Sequence, residues 1–143
     1  MKSKLIEAQG GKTFALVFDE GDEAVSGILE FAKQNKLGAG HFTAIGGFRE
    51  AVLGYFDLEK KDYQKIPVKE QVEVLSLVGG IALAKGEPKV HAHVVVGTSD
   101  GSARGGHLIQ GYVRPTLELV VTESPKHLHR EFDEASGLAL IRL

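Results

Sequence analysis

Hydrophobic and polar positions alternate with two distinct periods along this chain. Lys12-Thr13-Phe14-Ala15-Leu16-Val17-Phe18 is apolar, aromatic and branched, and lies between Gly10-Gly11 and Asp19-Glu20-Gly21, which predicts a strand buried on both faces. A helix is predicted over 22–37, where Val25, Ile28, Leu29 and Ala32 recur at helical spacing. Asp22 is placed to cap it, Lys33 and Lys36 fall in its last turn, and Gly38 can supply a left-handed stop. Beyond this point the period drops to two. His41–Ile45, Ala51–Phe56, Val72–Val78, Val90–Val96, Arg104–Ile109, Thr116–Thr122 and Leu138–Leu143 read as strands, separated by glycine pairs and by Pro67, Pro88 and Pro115. Ser124, with Pro125 at the first helical position, predicts a short second helix over Ser124–Phe132. The expected fold is α+β, a largely antiparallel central sheet of about seven strands with one main helix packed on it.

Length and composition narrow the class. At 143 residues, with no Pro-, Ser- or charge-rich linker and no repeat of solenoid period, residues 1–143 are expected to form one domain. Cysteine is absent, which removes disulfides, thiolate nucleophiles and every cysteine-bearing zinc motif. No long apolar run or signal-like leader occurs, so the expected setting is cytoplasmic with no membrane partner. Lys and Arg total 17 against 19 Asp and Glu, a net charge of −2, which gives no basic footprint for nucleic acid. Association of several copies would still gather Lys60, Lys61, Lys65 and Lys69 into a local patch.

The candidate chemistry lies in the histidines. Strand alternation in Val90-His91-Ala92-His93-Val94-Val95-Val96 sends His91 and His93 to one face and Val90, Ala92, Val94 and Val96 to the other, the natural core side. Gly97-Thr98-Ser99-Asp100-Gly101-Ser102 is hairpin material. A three-residue loop, Ser99-Asp100-Gly101, sets His93 opposite His107, with His91 a diagonal neighbour. A two-residue loop would instead turn His107 into the core. Three imidazoles on one patch suit a divalent metal such as zinc, with an open coordination position. The plain alternative is a set of half-buried polar strand residues. Gly105-Gly106 signals close backbone approach or a bulge beside His107. His127-Leu128-His129 reads as solvated surface, and His41 has no fixed place. Glu73 alternates outward from its strand and is a candidate proton carrier on the histidine side, or simply an exposed strand residue. Arg104 falls opposite Val96 and would need an edge or a subunit contact to reach water. No dinucleotide fingerprint, phosphate loop or nucleophile elbow occurs.

The run Val90-His91-Ala92-His93-Val94, followed by Ser99-Asp100-Gly101 and Gly105-Gly106-His107-Leu108, resembles the signature of the PPC domain, the plants-and-prokaryotes conserved domain. Gly38–Phe48, Glu73-Val74-Leu75-Ser76-Leu77 and Phe132-Asp133-Glu134-Ala135-Ser136-Gly137-Leu138 add to a likeness covering roughly residues 10–142. The resemblance implies a homotrimer and metal ligation by His91, His93 and His107; the leading reading has the open position capture a small anionic ligand or a regulatory molecule. DNA-binding regulation is the alternative that family labels suggest, because plant relatives carry AT-hooks, and a metal-dependent hydrolase or lyase is a third. The chain lacks the Arg-Gly-Arg-Pro core of an AT-hook, and it carries Glu70-Gln71-Val72 where plant members have Gly-Arg-Phe.

Overall fold

The computed structural model describes residues 1–7, 10–124 and 127–143. Nine strands and one helix follow the order β1 (Lys2–Glu7), β2 (Thr13–Phe18), α1 (Ala24–Gln34), β3 (Ala39–Asp57), β4 (Asp62–Val68), β5 (Val72–Ala84), β6 (Glu87–Gly97), β7 (Ala103–Glu123), β8 (His129–Asp133) and β9 (Leu138–Arg142). The main path through the sheet is β1-β2-β7-β3-β5-β8-β9. β4 hangs on β3, and β6 bridges β5 and β7. All pairings are antiparallel except β5 with β8.

The fold class is the expected α+β, in a sheet of nine strands rather than seven. Two pairs of predicted short strands are continuous: His41–Ile45 and Ala51–Phe56 both lie within β3, and Arg104–Ile109 and Thr116–Thr122 within β7. The glycine pair Gly46-Gly47 does not end β3. It marks a register shift at which the strand bends closely past β7, and a Cβ on Gly46 would collide with the Thr116 carbonyl oxygen.

The second helix is not formed in the described part of Ser124–Phe132. His129–Asp133 is a strand paired with β9, Arg130 opposite Ile141, and it joins β5 through Leu83 and Ala84. Pro125, the proposed first helical residue, lies outside the described residues. The capping signal there was local, and the ladder offered by Leu138–Arg142 outweighs it.

Helix α1 is shorter than predicted and is capped differently. Glu23, not Asp22, caps it: its carboxylate accepts from the Val25 and Ser26 amides at 3.1 and 2.8 Å, and from the Gly111 amide of β7 at 3.0 Å. Asp22 instead accepts from the Asp19 amide and pairs with the Met1 amine. Lys36, not Gly38, takes the left-handed position at φ 55°, and the Leu37 amide then reaches the Ala32 carbonyl at 2.9 Å with its side chain buried. The helix buries Ala24, Ile28, Phe31 and Ala32 against the sheet, with Phe31 edge-on to Phe14 at 5.1 Å. The core contains no buried polar or charged residue among those described. No helix among them is long and apolar enough to cross a membrane.

Candidate metal centre

The β6–β7 hairpin has the three-residue loop. The Thr98 amide donates to the Ser102 carbonyl, the Gly101 amide to the Thr98 carbonyl, and Gly101 sits at φ 81°. The Asp100 carboxylate accepts from the Ser102 amide and from the Thr98 and Ser102 hydroxyls, bonds that hold its pKa well below the usual carboxylate range. The resulting register sets Val96 opposite Arg104 and His93 opposite His107. Ala92, Val94 and Val96 are buried, while His91 and His93 stand on the outer face.

All three imidazoles therefore converge. One ring nitrogen from each of His91, His93 and His107 lies within 4.8 Å of the other two, and His91 Nε2 is 3.2 Å from His93 Nε2. Ring centroids are separated by 5.0 Å (His91 to His93), 5.1 Å (His91 to His107) and 5.7 Å (His93 to His107). Gly106 makes room for this approach, since a Cβ there would stand 2.8 Å from the Gly54 carbonyl oxygen of β3. Tyr63 of β4 stacks on the His107 ring at 4.6 Å and 27°.

Burial depresses the pKa of His107 to about 4, helped by the neighbouring His91 and His93. Burial also lowers His91, followed by the Arg130 charge and then His93. Both rings are thus neutral at pH 7, the form that donates a lone pair to a metal. His107 Nδ1 is buried with no hydrogen-bond partner.

The donor set fits a zinc-like ion. Tetrahedral coordination at ~2.0–2.1 Å places ligand nitrogens roughly 3.3 Å apart, close to the 3.2 Å between His91 and His93.

Other candidates fall elsewhere. Glu73 shares the outer face but pairs with Gly97, four residues along β6 from His93 and thus ~13 Å away. It takes no part in the cluster. His41 lies in the same cross-strand row as His91, separated by Gly80 and hence by two strand spacings, ~10 Å. His127 lies over Gly38 and His129 is exposed in β8, both apart from the cluster. Arg104 reaches solvent at the sheet edge, 3.8 Å from Glu70.

Arg130 and Tyr63 were not singled out in the sequence. They line a cavity of about 530 Å³ that opens over the three histidines between the β3–β4 and β8–β9 hairpins. Beside it, the outer face exposes Val17, Ile45, Leu75, Val78 and Val120 around one shallow depression, and Val78 lies directly across from His93.

The chain is similar to several known proteins. A plant- and prokaryote-conserved (PPC) protein from Pyrococcus horikoshii has 34% identity and TM-score 0.88, with 99% of this chain and 95% of that one covered. A metal-containing protein from Archaeoglobus fulgidus has 40% identity and TM-score 0.87 over 98% and 99%. A protein from Ralstonia eutropha JMP134, described as a candidate DNA-binding protein, has 27% identity and TM-score 0.88 over 98% and 96%. The Bifunctional protein GlmU of Synechococcus sp. (strain JA-3-3Ab) is 31% identical over 82% of this chain, which spans only 18% of that relative's length. Residues 5–125 match the Plants and Prokaryotes Conserved (PCC) domain, and the chain belongs to that family.

Proposed function

We propose that this protein is a homotrimeric metal-binding PCC-domain protein. It holds a divalent ion, zinc first among them, through His91, His93 and His107, and leaves a coordination position for a small anionic ligand. The observation that carries this reading is the convergence of three ring nitrogens within 4.8 Å. Two of the rings are kept neutral by burial. The metal-containing description of the Archaeoglobus relative, at 40% identity, supports the same reading. A bound ion supplies Lewis acidity and an exchangeable coordination position. The chain's own residues fix the three donors and shape the space around them.

Self-association gives the apolar outer face an occupant. Exposed valine, leucine and isoleucine side chains around one depression form the kind of patch that marks a contact surface. The family resemblance sets the copy number at three. Sedimentation is expected to give three times the chain mass, and Ile45→Asp to give single chains. A parent protein that sediments as one chain at ~10 μM would remove the assembly from the reading. For the metal, His91→Ala/His93→Ala/His107→Ala is expected to lose stoichiometric zinc by elemental analysis. Metal content equal to the parent's would overturn the site.

A second reading, DNA binding, rests on the description of the Ralstonia relative. The charge balance opposes it, and two of the four clustered lysines are engaged: Lys60 with Asp57 at 3.4 Å, and Lys61 with the Glu134 carbonyl. Duplex retention at low salt in a gel-shift assay would favour it; free duplex at micromolar protein would exclude it. The hydrolase or lyase alternative needs a base other than Glu73, which stands too far along the sheet.

A further inference from the structure

The cavity above the histidines has two chemically different walls. One is cationic. Arg130 of β8 donates one guanidinium hydrogen bond to the Ala139 carbonyl at 3.0 Å, while its Nε is buried without a partner. No carboxylate among the described residues lies within 4.0 Å of it, and Lys89 borders the same space without an ion-pair partner among those residues. The other wall is apolar and aromatic. Phe56 and Tyr63 face it from the β3–β4 hairpin, and Tyr55, Leu138 and Leu140 border it. Phe56 and Tyr63 pack edge to face at 5.0 Å.

Two positive centres, a divalent ion on three imidazoles and a guanidinium, then border one cavity with no carboxylate between them among the described residues. Such a pair repels unless an anion lies between. A cavity of about 530 Å³ is within the range of small-molecule sites, which combine a mostly apolar lining with a few placed polar groups.

We infer that this cavity binds a small aromatic monocarboxylate, its carboxylate set between Arg130 and the metal position and its ring against Phe56 and Leu140. The inference rests on the three-histidine reading for one of the two positive centres. Arg130 and the apolar wall are independent of it. A bare inorganic anion would leave the aromatic wall unused, and a neutral aromatic would leave the Arg130 charge without a counter-ion.

The test is calorimetric titration of the full-length protein, zinc-loaded and zinc-free, with phenylacetate, its neutral isostere phenylacetamide, and acetate. Phenylacetate is expected to bind the zinc-loaded form, with the amide and acetate each about tenfold weaker. Arg130→Gln is expected to weaken phenylacetate about tenfold while zinc stoichiometry and far-ultraviolet circular dichroism match the parent. Leu140→Ala is expected to weaken phenylacetate about threefold and leave acetate unchanged. No heat from phenylacetate up to ~10 mM, equal affinity for acid and amide, or no effect of Arg130→Gln overturns the proposal. Each of these results with zinc still bound leaves the metal centre standing. Arg130-dependent phenylacetate binding to a chain that takes up no zinc would instead sink the metal centre and keep the carboxylate site.

Discussion

The two faces of β6 share one backbone and one set of ladder bonds, yet they do opposite things. Ala92, Val94 and Val96 are at most 2% exposed and belong to the core. His91 and His93, one residue out of phase, stand outside and meet His107. A strand separates stability from chemistry by parity alone, and a single residue of slip would exchange the two sets. The core side strongly resists such a slip. The histidine side therefore inherits its precision from valines that never touch the metal position.

The sharpest way to break this comparison is to place the same charge on each side. Val94→Asp puts a carboxylate among aliphatic side chains with no cation to pair it, and should cost more than ~4 kcal/mol by urea denaturation, enough to leave little folded protein. His93→Asp puts it in solvent and should stay within about 1 kcal/mol of the parent when both are zinc-free. Equal losses at the two positions would mean that the outer face is not free of structural duty. Adjacent residues of β7 extend the contrast. Leu108→Ala should cost roughly 2–5 kcal/mol, because Leu108 is 2% exposed inside the core. His107→Ala should cost about 1 kcal/mol or less without metal, since the ring is only half buried and carries an unsatisfied Nδ1. With zinc present the parent melting temperature should rise and that of His107→Ala should not.

Much of this contrast is legible in the sequence. The phase of Val90–Val96 assigns the faces, and Gly101 in a three-residue loop sets His93 against His107, as observed. Glu73 shows the limit of the same argument: alternation places it on the histidine face but says nothing about distance along the strand. Arg130 was hidden because Ser124-Pro125 carries a helix-start signal, whereas the partner that makes 129–133 a strand lies in Leu138–Arg142. Tyr63 stacks on His107 only because β4 folds back on the far half of β3, a non-local pairing with no marker in the local pattern. The strands that turn charged or mixed faces outward, β1, β4 and β8, were the ones that periodicity missed.

Acid sharpens the comparison from the histidine side. The His107 pKa is about 6.5 when unfolded and about 4 when folded, so between these values the unfolded chain binds the extra proton. Stability from this group is fully present above pH ~6.5, declines as pH falls toward 4, and changes no further below that; the lowered His91 acts in the same sense. After discounting for the half-exposed His107 ring, its share of the loss should be roughly 1–2 kcal/mol over the whole window. Zinc-free parent and His107→Ala, denatured in urea at pH 7.5 and pH 4, should differ by about this amount in their pH sensitivity. A parent no more acid-sensitive than the variant would place the His107 ring in solvent.

The smallest expected effect distinguishes two ways of holding the register. Gly101 occupies φ 81°, and a Cβ there meets nothing within 4 Å, so Gly101→Ala carries only the backbone cost, about 1 kcal/mol. His107 is fixed twice: across the hairpin by His93, and on its other side by Gly54 of β3. If the β3 ladder is enough to keep the ring in place, the variant should lose that stability yet bind zinc within about threefold of the parent. A much larger drop in zinc affinity at unchanged fold would mean that the tight turn, rather than the long β3–β7 pairing, sets the histidines in phase.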